Sequence, residues 1–204
     1  CSNLQTVTID ITNVPSSTST YIGSYAFRNC SNLKNVSFPD TLKTIGNFAF
    51  FWCTSLENFT LPEGLISIGQ QAFFYCTSLT SVTIPDNVTF IDSGIFGYCS
   101  SLTYVYIGGN ANAPGYVNSN CPFRNCQSLE EILVSKDNIA LKSVDGVLYS
   151  KDGSVLIQYP AGNTAISYIV PESVISIGDC AYRNCTNLSS IDIAENITSI
   201  GYAA

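Results

Sequence analysis

The sequence has no histidine, no methionine and a single tryptophan, and only 11% of its 204 residues are charged. Globular domains usually carry about a quarter. Without histidine, neither a Ser-His-Asp triad nor a Cys-His dyad can be assembled within the chain. No metal site can use imidazole, and no side chain has an ordinary pKa near neutrality. Positive charge is scarcer than negative, 8 Lys+Arg against 15 Asp+Glu for a formal net charge of −7. The basic footprint of a nucleic-acid binder is missing, so no nucleic acid is expected among the partners. No run reaches the ~18 apolar residues of a membrane span. The opening Cys1-Ser2-Asn3-Leu4 lacks the basic start and apolar stretch of a signal peptide. There is no Gly-rich phosphate cradle, no Cys-x-x-Cys pair and no nucleophile beside a base, so neither an enzyme nor a cofactor is expected. What is plentiful is apolar material, at 46%, together with nine cysteines and twelve tyrosines. Such a chain has enough to bury to fold.

The cysteines reveal the organisation. Cys30, Cys53, Cys76 and Cys99 are spaced 53 − 30 = 76 − 53 = 99 − 76 = 23 residues apart. Ile22-Gly23, Ile45-Gly46 and Ile68-Gly69 keep that interval, as do Ile177-Gly178 and Ile200-Gly201. A repeat at fixed period is the signature of a solenoid, in which no unit buries its own apolar face but stacked units share a core. Within each unit, Leu33-x-x-Val36-x-Phe38, Leu56-x-x-Phe59-x-Leu61 and Leu79-x-x-Val82-x-Ile84 end in the period-2 alternation of a half-buried strand. Pro39, Pro62 and Pro85 follow directly, where a missing N–H does least harm.

The unit Ile-Gly-x-x-Ala-Phe-x-x-Cys-x-x-Leu-x-x-Val-x-Ile-Pro resembles the BspA-like, or Treponema pallidum-type, leucine-rich repeat, over nearly the whole chain. The resemblance implies a curved, β-rich leucine-rich-repeat solenoid of 23-residue coils, with a parallel sheet on its concave face and irregular or short-helical return legs. It also implies an extracellular or cell-surface setting, with adhesion to a host or extracellular-matrix protein or glycan. The competing expectation is a structural spacer with no ligand of its own. Both ends fall inside a repeat without a polar cap, so residues 1–204 are expected to be one array cut from a longer one.

Three places break the period. A six-residue insertion lies around Pro15-Ser16-Ser17-Thr18, and four extra residues fall within Gly108-Gly109-Asn110-Ala111-Asn112-Ala113-Pro114-Gly115; both have loop composition. Between Cys126 and Cys185 one Ala-Phe-x-x-Cys leg is lost. Residues 143–160, with Asp152-Gly153 between two apolar runs, are expected to form a β-hairpin in its place. Asp137, Asp145 and Asp152 lack the spacing of a calcium loop and are read as turn formers, so no metal is expected.

Seven cysteines, at 1, 30, 53, 76, 99, 126 and 185, share one repeat position. Side chains at one position point the same way, which predicts a ladder of buried free thiols. Cys121 and Cys180 share a second position; if the hairpin coil separates them, they lie two coils, roughly 10 Å, apart. That is too far to bridge, and no disulfide is expected.

Two surfaces are candidates for binding. Outward positions of the strands, expected on the concave face, include Asn35, Asn58, Thr60, Thr83, Tyr104 and Tyr106. They are small or aromatic and uncharged, suited to hydrogen bonding with a peptide or glycan; solvent-facing strands of any solenoid also favour such residues. Trp52, Tyr75 and Tyr98 recur at the 23-residue interval where neighbouring units have Asn29, Asn125 and Asn184. Such an aromatic stripe serves either contact with a partner or stacking between coils.

Overall fold

The computed structural model describes residues 1–9, 20–112 and 121–204. The insertion around Pro15 and the loop from Ala113 onward lie outside these residues. Each unit runs through two short extended segments separated by tight turns, and no helix occurs among the described residues. Copies of each segment stack in register into two parallel ladders. In the first, Thr6–Thr8 pairs with Asn35–Ser37, and Ser81–Ile84 pairs with Tyr104–Ile107, which pairs with Glu131–Val134. Further along the chain, Ser167–Ile169 pairs with Ser190–Asp192. The second ladder joins Thr20–Ile22, Leu42–Ile45 and Ser67–Ile68, and on the C-terminal side Ser176–Ile177 and Ser199–Ile200.

The repeat consensus is a list of core positions. Leu33, Leu56, Leu79, Leu102 and Leu129 are buried in file, as are Ile45 and Ile68. The Phe of Ala-Phe forms a stack along the axis: Phe27, Phe50, Phe73, Phe96 and Phe123, with ring centroids 5.1, 5.2, 5.5 and 6.1 Å apart. Five of the seven in-register cysteines, Cys30, Cys53, Cys76, Cys99 and Cys126, form the expected buried ladder, whereas Cys185 is half-buried and Cys1, in the first described coil, is exposed. Four of the buried thiols are hydrogen-bonded, each Sγ–H donating to the Phe carbonyl of the preceding coil: Cys53 to Phe27 at 3.1 Å, Cys76 to Phe50 at 3.4 Å, Cys99 to Phe73 at 3.3 Å and Cys126 to Phe96 at 3.0 Å. A thiol fits here because it is small and apolar yet gives that carbonyl a donor.

Asparagines complete the stacking. Asn87 and Asn196 donate to Glu63 and Glu172 carbonyls one coil back, at 2.7 and 2.8 Å. Asn138 is the most heavily used. Its amide donates to Gly108 and Ala111 carbonyls at 2.6 and 2.9 Å and accepts from the Ala140 and Leu141 N–H groups at 2.9 and 2.7 Å.

The third break in period is an antiparallel meander. Leu141–Val144 pairs with Val147–Ser150, which pairs with Val155–Gln158, and the last runs parallel to Ser176–Ile177 in the second ladder. Two tight turns make it. One is Asp145-Gly146, both at positive φ (49° and 78°); the other contains Gly153 at φ 82°. Asp152 ties the second turn, accepting from the Ser150 hydroxyl at 2.6 Å and the Ser154 N–H at 3.0 Å. The meander also interrupts the first ladder, because the Ile132 N–H donates to the Gly146 carbonyl at 2.9 Å instead of to another strand.

This insertion overturns the expectation of no disulfide. Cys121 and Cys180 are bonded, with Cα atoms 6.0 Å apart, inside the bridging range. The meander keeps only the inner part of a return leg. Tyr159 fills the core Phe position, its N–H donating to the Ala181 carbonyl at 2.8 Å. The outer part of that leg is missing, so the legs on either side close together. Asn125 Oδ1 accepts from Arg183 Nε at 3.0 Å and from Asn184 Nδ2 at 2.8 Å. The two cysteines are one coil apart rather than two.

Candidate functional site

Six of the residues singled out from sequence lie along the face of the first ladder, alternating with buried or half-buried ones. Asn35, Asn58, Thr60 and Thr83 are exposed, and Tyr104 and Tyr106 are half-buried on Tyr104–Ile107. The structure adds a feature that the strand pattern did not suggest. Residues 58–61 are not part of a strand, and none of their backbone groups bonds to a neighbouring coil; the last such contact is from the Glu57 N–H to the Lys34 carbonyl, 3.2 Å. The first ladder is therefore open at this coil, within the regular repeats, as well as at the meander.

Two aromatic substitutions account for the opening. Where neighbouring units have Val36, Val82, Val105 and Ile132, this one has Phe59, and where others have Ile84 or Ile107 the preceding unit has Phe38. Phe59 stacks on Phe73 with centroids 4.6 Å apart, and the Phe38 ring sits edge-on to Phe59 at 5.7 Å and to Phe50 at 5.8 Å. Rings of this size beneath strands meant for β-branched residues hold the backbones apart. Grooves open on both sides. One, of about 350 Å³, is lined by residues 35–38 and 58–60; the other, of about 430 Å³, by residues 58–61, Glu63 and residues 81–83. Asn35, Asn58, Thr60 and Thr83 all line them, whereas Tyr104 and Tyr106 lie further along the face. The Thr80 hydroxyl donates to Asn58 Oδ1 at 2.9 Å and orients that amide. The grooves present uncharged amides, hydroxyls and unpaired main-chain groups, with Glu63 the one ionic side chain in their lining.

The aromatic stripe is a continuous stack on the return legs. Trp52 and Tyr75 stack with centroids 4.7 Å apart, and Tyr75 and Tyr98 with centroids 4.4 Å apart. The row ends differently on its two sides. Arg124 covers the far face of Tyr98, its guanidinium 5.6 Å from the centroid. Beyond Trp52 the next unit has Asn29, and Trp52 remains 46% exposed. Asn29, Ser31 and Trp52 line a shallow pocket there, of about 350 Å³.

The backbone at this position is left-handed in the six units that keep it: φ is 60° at Asn29, 62° at Trp52 and Tyr75, 60° at Tyr98, 61° at Asn125 and 62° at Asn184. Asparagine tolerates that conformation well. For a bulky side chain it costs about 1–2 kcal/mol. One aromatic pair returns about 0.5–1.5 kcal/mol. Tyr75, stacked on both faces, offsets its strain; Trp52, stacked on one, gains least. Sequence alone located the stripe but gave no sign of this backbone state.

The buried thiols are chemically quiet. Burial pushes the Cys53 and Cys126 thiols up to about 12 from an ordinary 9.0, and raises Cys76 and Cys99 as well. None is poised as a nucleophile. Among the described residues no group of three or more His, Cys, Asp or Glu side chains could hold a metal, and no helix is long and apolar enough to cross a membrane.

Comparison with known proteins points one way. A family model described as the BspA-type leucine-rich repeat region matches six copies, over residues 1–130 and 161–204. No curated protein matches the chain. Among solved structures, a leucine-rich repeat protein from Eubacterium ventriosum is 28% identical with a TM-score of 0.82, over 97% of this chain and 50% of its own. The pneumococcal vaccine antigen PcpA is 27% identical with a TM-score of 0.85, over 98% of this chain and 47% of its own. A leucine-rich cell surface protein from Faecalibacterium prausnitzii is 29% identical with a TM-score of 0.64, over 97% and 57%. The chain thus spans about half the length of these relatives.

Proposed function

The chain belongs to the BspA-type leucine-rich repeat family, and from that premise we propose that it is a recognition segment of a surface-exposed or secreted protein, contacting a host or extracellular-matrix protein or glycan. The observation that carries this reading is the opened coil at residues 58–61. A segment whose N–H and C=O groups lack ladder partners is unfavourable for stability, and it offers donors and acceptors to a ligand. Asn35, Asn58, Thr60 and Thr83 surround those groups with neutral polar side chains, suited to a polar ligand held by many hydrogen bonds rather than by ion pairs. Tyr104 and Tyr106 extend the same face and would add apolar contact. Two further points support the setting. Relatives include a cell surface protein and a vaccine antigen by name, and a disulfide such as Cys121–Cys180 persists in oxidising compartments.

An array of extracellular-matrix proteins and glycans tests the reading, probed with the protein and with two variants, Asn58→Ala/Thr60→Ala/Thr83→Ala and Tyr104→Ala/Tyr106→Ala. The expected result is a ligand whose affinity falls roughly tenfold or more in the triple variant, the effect of losing one or two hydrogen bonds. Silence of the unmodified protein across the array would instead favour the spacer.

A further inference from the structure

The aromatic row is built like a stack of plates with one plate missing. Trp52, Tyr75 and Tyr98 follow one another at 4.7 and 4.4 Å. The backbone continues the series, since the Asn29 N–H donates to the Phe51 carbonyl at 2.8 Å just as the Trp52 N–H donates to the Phe74 carbonyl at 2.8 Å. At Asn29 the side chain is too short to cover the indole. One face of Trp52 is therefore open, with an amide and the Ser31 hydroxyl beside it. The opposite end of the row is closed by Arg124. Trp52 holds this place in a left-handed conformation, φ 62°, that asparagine adopts at three other units, and it has an aromatic partner at this position on one side only. A local rule broken at the least compensated point of a row is where a functional demand is expected.

We propose that Trp52, Asn29 and Ser31 form a subsite for one pyranose ring of a glycan. A pyranose has a flat apolar C–H face, which matches the open indole, and a rim of hydroxyls, which match an amide and a hydroxyl able both to donate and to accept. The lining is uncharged, so the sugar that fits is neutral. A ring seated on Trp52 takes the position of the missing aromatic and continues the row by one plate. This deepens the recognition reading and rests on it for the class of ligand, but it uses a different part of the coil from the grooves at residues 58–61.

Trp52 is the only tryptophan in the chain, so its emission reports on this subsite alone. The protein is titrated with cellohexaose, mannohexaose and chitohexaose, and separately with p-cresol as a mimic of a tyrosine side chain. The expected result is a saturable emission change with at least one hexaose, with Kd on the order of 1 mM, and none with p-cresol. Asn29→Tyr, which supplies the missing plate, should weaken that response by roughly tenfold or more while leaving the far-ultraviolet spectrum unchanged. Trp52→Asn should abolish sugar binding by calorimetry while leaving the thermal midpoint unchanged or higher. An unresponsive emission with all three sugars, a response to p-cresol alone, or a clear fall in the midpoint of Trp52→Asn would each overturn the proposal. The Asn58→Ala/Thr60→Ala/Thr83→Ala variant separates the two readings: it should keep the emission response, and Trp52→Asn should keep any ligand of the grooves.

Discussion

A thiol at one repeat position does two jobs that no other side chain does together, filling a small apolar site and giving the neighbouring Phe carbonyl a donor. The consequence is a dependence on alkaline pH. Thiols raised by burial stay protonated in the folded chain, while those of the unfolded chain ionise from an ordinary 9.0; Cys53, Cys126 and Cys185 are pushed to about 12. Their contribution is fully present below pH 9 and is lost as pH rises towards 12. The urea midpoint should therefore stay level to about pH 9 and then fall, and a Cys53→Ala/Cys126→Ala variant should fall less steeply; equal slopes would remove the thiols as the cause. Asn138 makes a second residue-level case. It is 1% exposed and satisfies four backbone groups, so Asn138→Ala should cost about 2 kcal/mol or more in chemical denaturation, because those groups remain buried without it. The cysteine ladder was legible in the sequence because its period is local and repeated. Asn138 was not, because nothing near it in sequence says that its partners are Gly108 and Ala111, some thirty residues earlier.

At the level of elements, the strand pattern carries over wherever inward residues are β-branched. Val82-x-Ile84 and Val105-x-Ile107 pair in register. The same pattern is written at Phe59-x-Leu61, yet no ladder forms there. Alternation identifies which side chains point inward, but the size of those side chains decides whether adjacent backbones come close enough to bond. The meander shows the converse limit. Asp152-Gly153 announces a hairpin, while the earlier turn at Asp145-Gly146 adds a further strand, Leu141–Val144, that pairs antiparallel before the hairpin begins. The disulfide followed from the same element. Counting coils placed Cys121 and Cys180 too far apart because the count assumed a complete return leg, and Tyr159 supplies only its inner residue. The outward residues Asn35, Asn58, Thr60 and Thr83 were readable by register, but the groove between them depends on Phe38 and Phe59 underneath.

Over the whole molecule the solenoid has two cores. One runs from Ile22 to Ile157 and the other from Val147 to Ala181, and they meet at the meander. Cys121–Cys180 spans that junction and closes a loop of 59 residues, for which chain entropy gives about 4 kcal/mol of stabilisation, within the usual range for native bonds. Reduction, or Cys121→Ser/Cys180→Ser, should lower the thermal midpoint by roughly 8–16 °C at about 4 kcal/mol; an unchanged midpoint would mean that the junction holds without the bond. Within its regular repeats the array is opened at residues 58–61, and the proposed recognition sits on that coil. Amide exchange resolved along the whole chain reads that opening residue by residue. Exchange should be slow through Tyr104–Ile107, which is paired on both sides, and fast at residues 58–61, whose amides have no ladder partner. Protection at residues 58–61 equal to that of Tyr104–Ile107 would contradict the opening, because the ladder would then be closed and no main-chain groups would be free for a ligand.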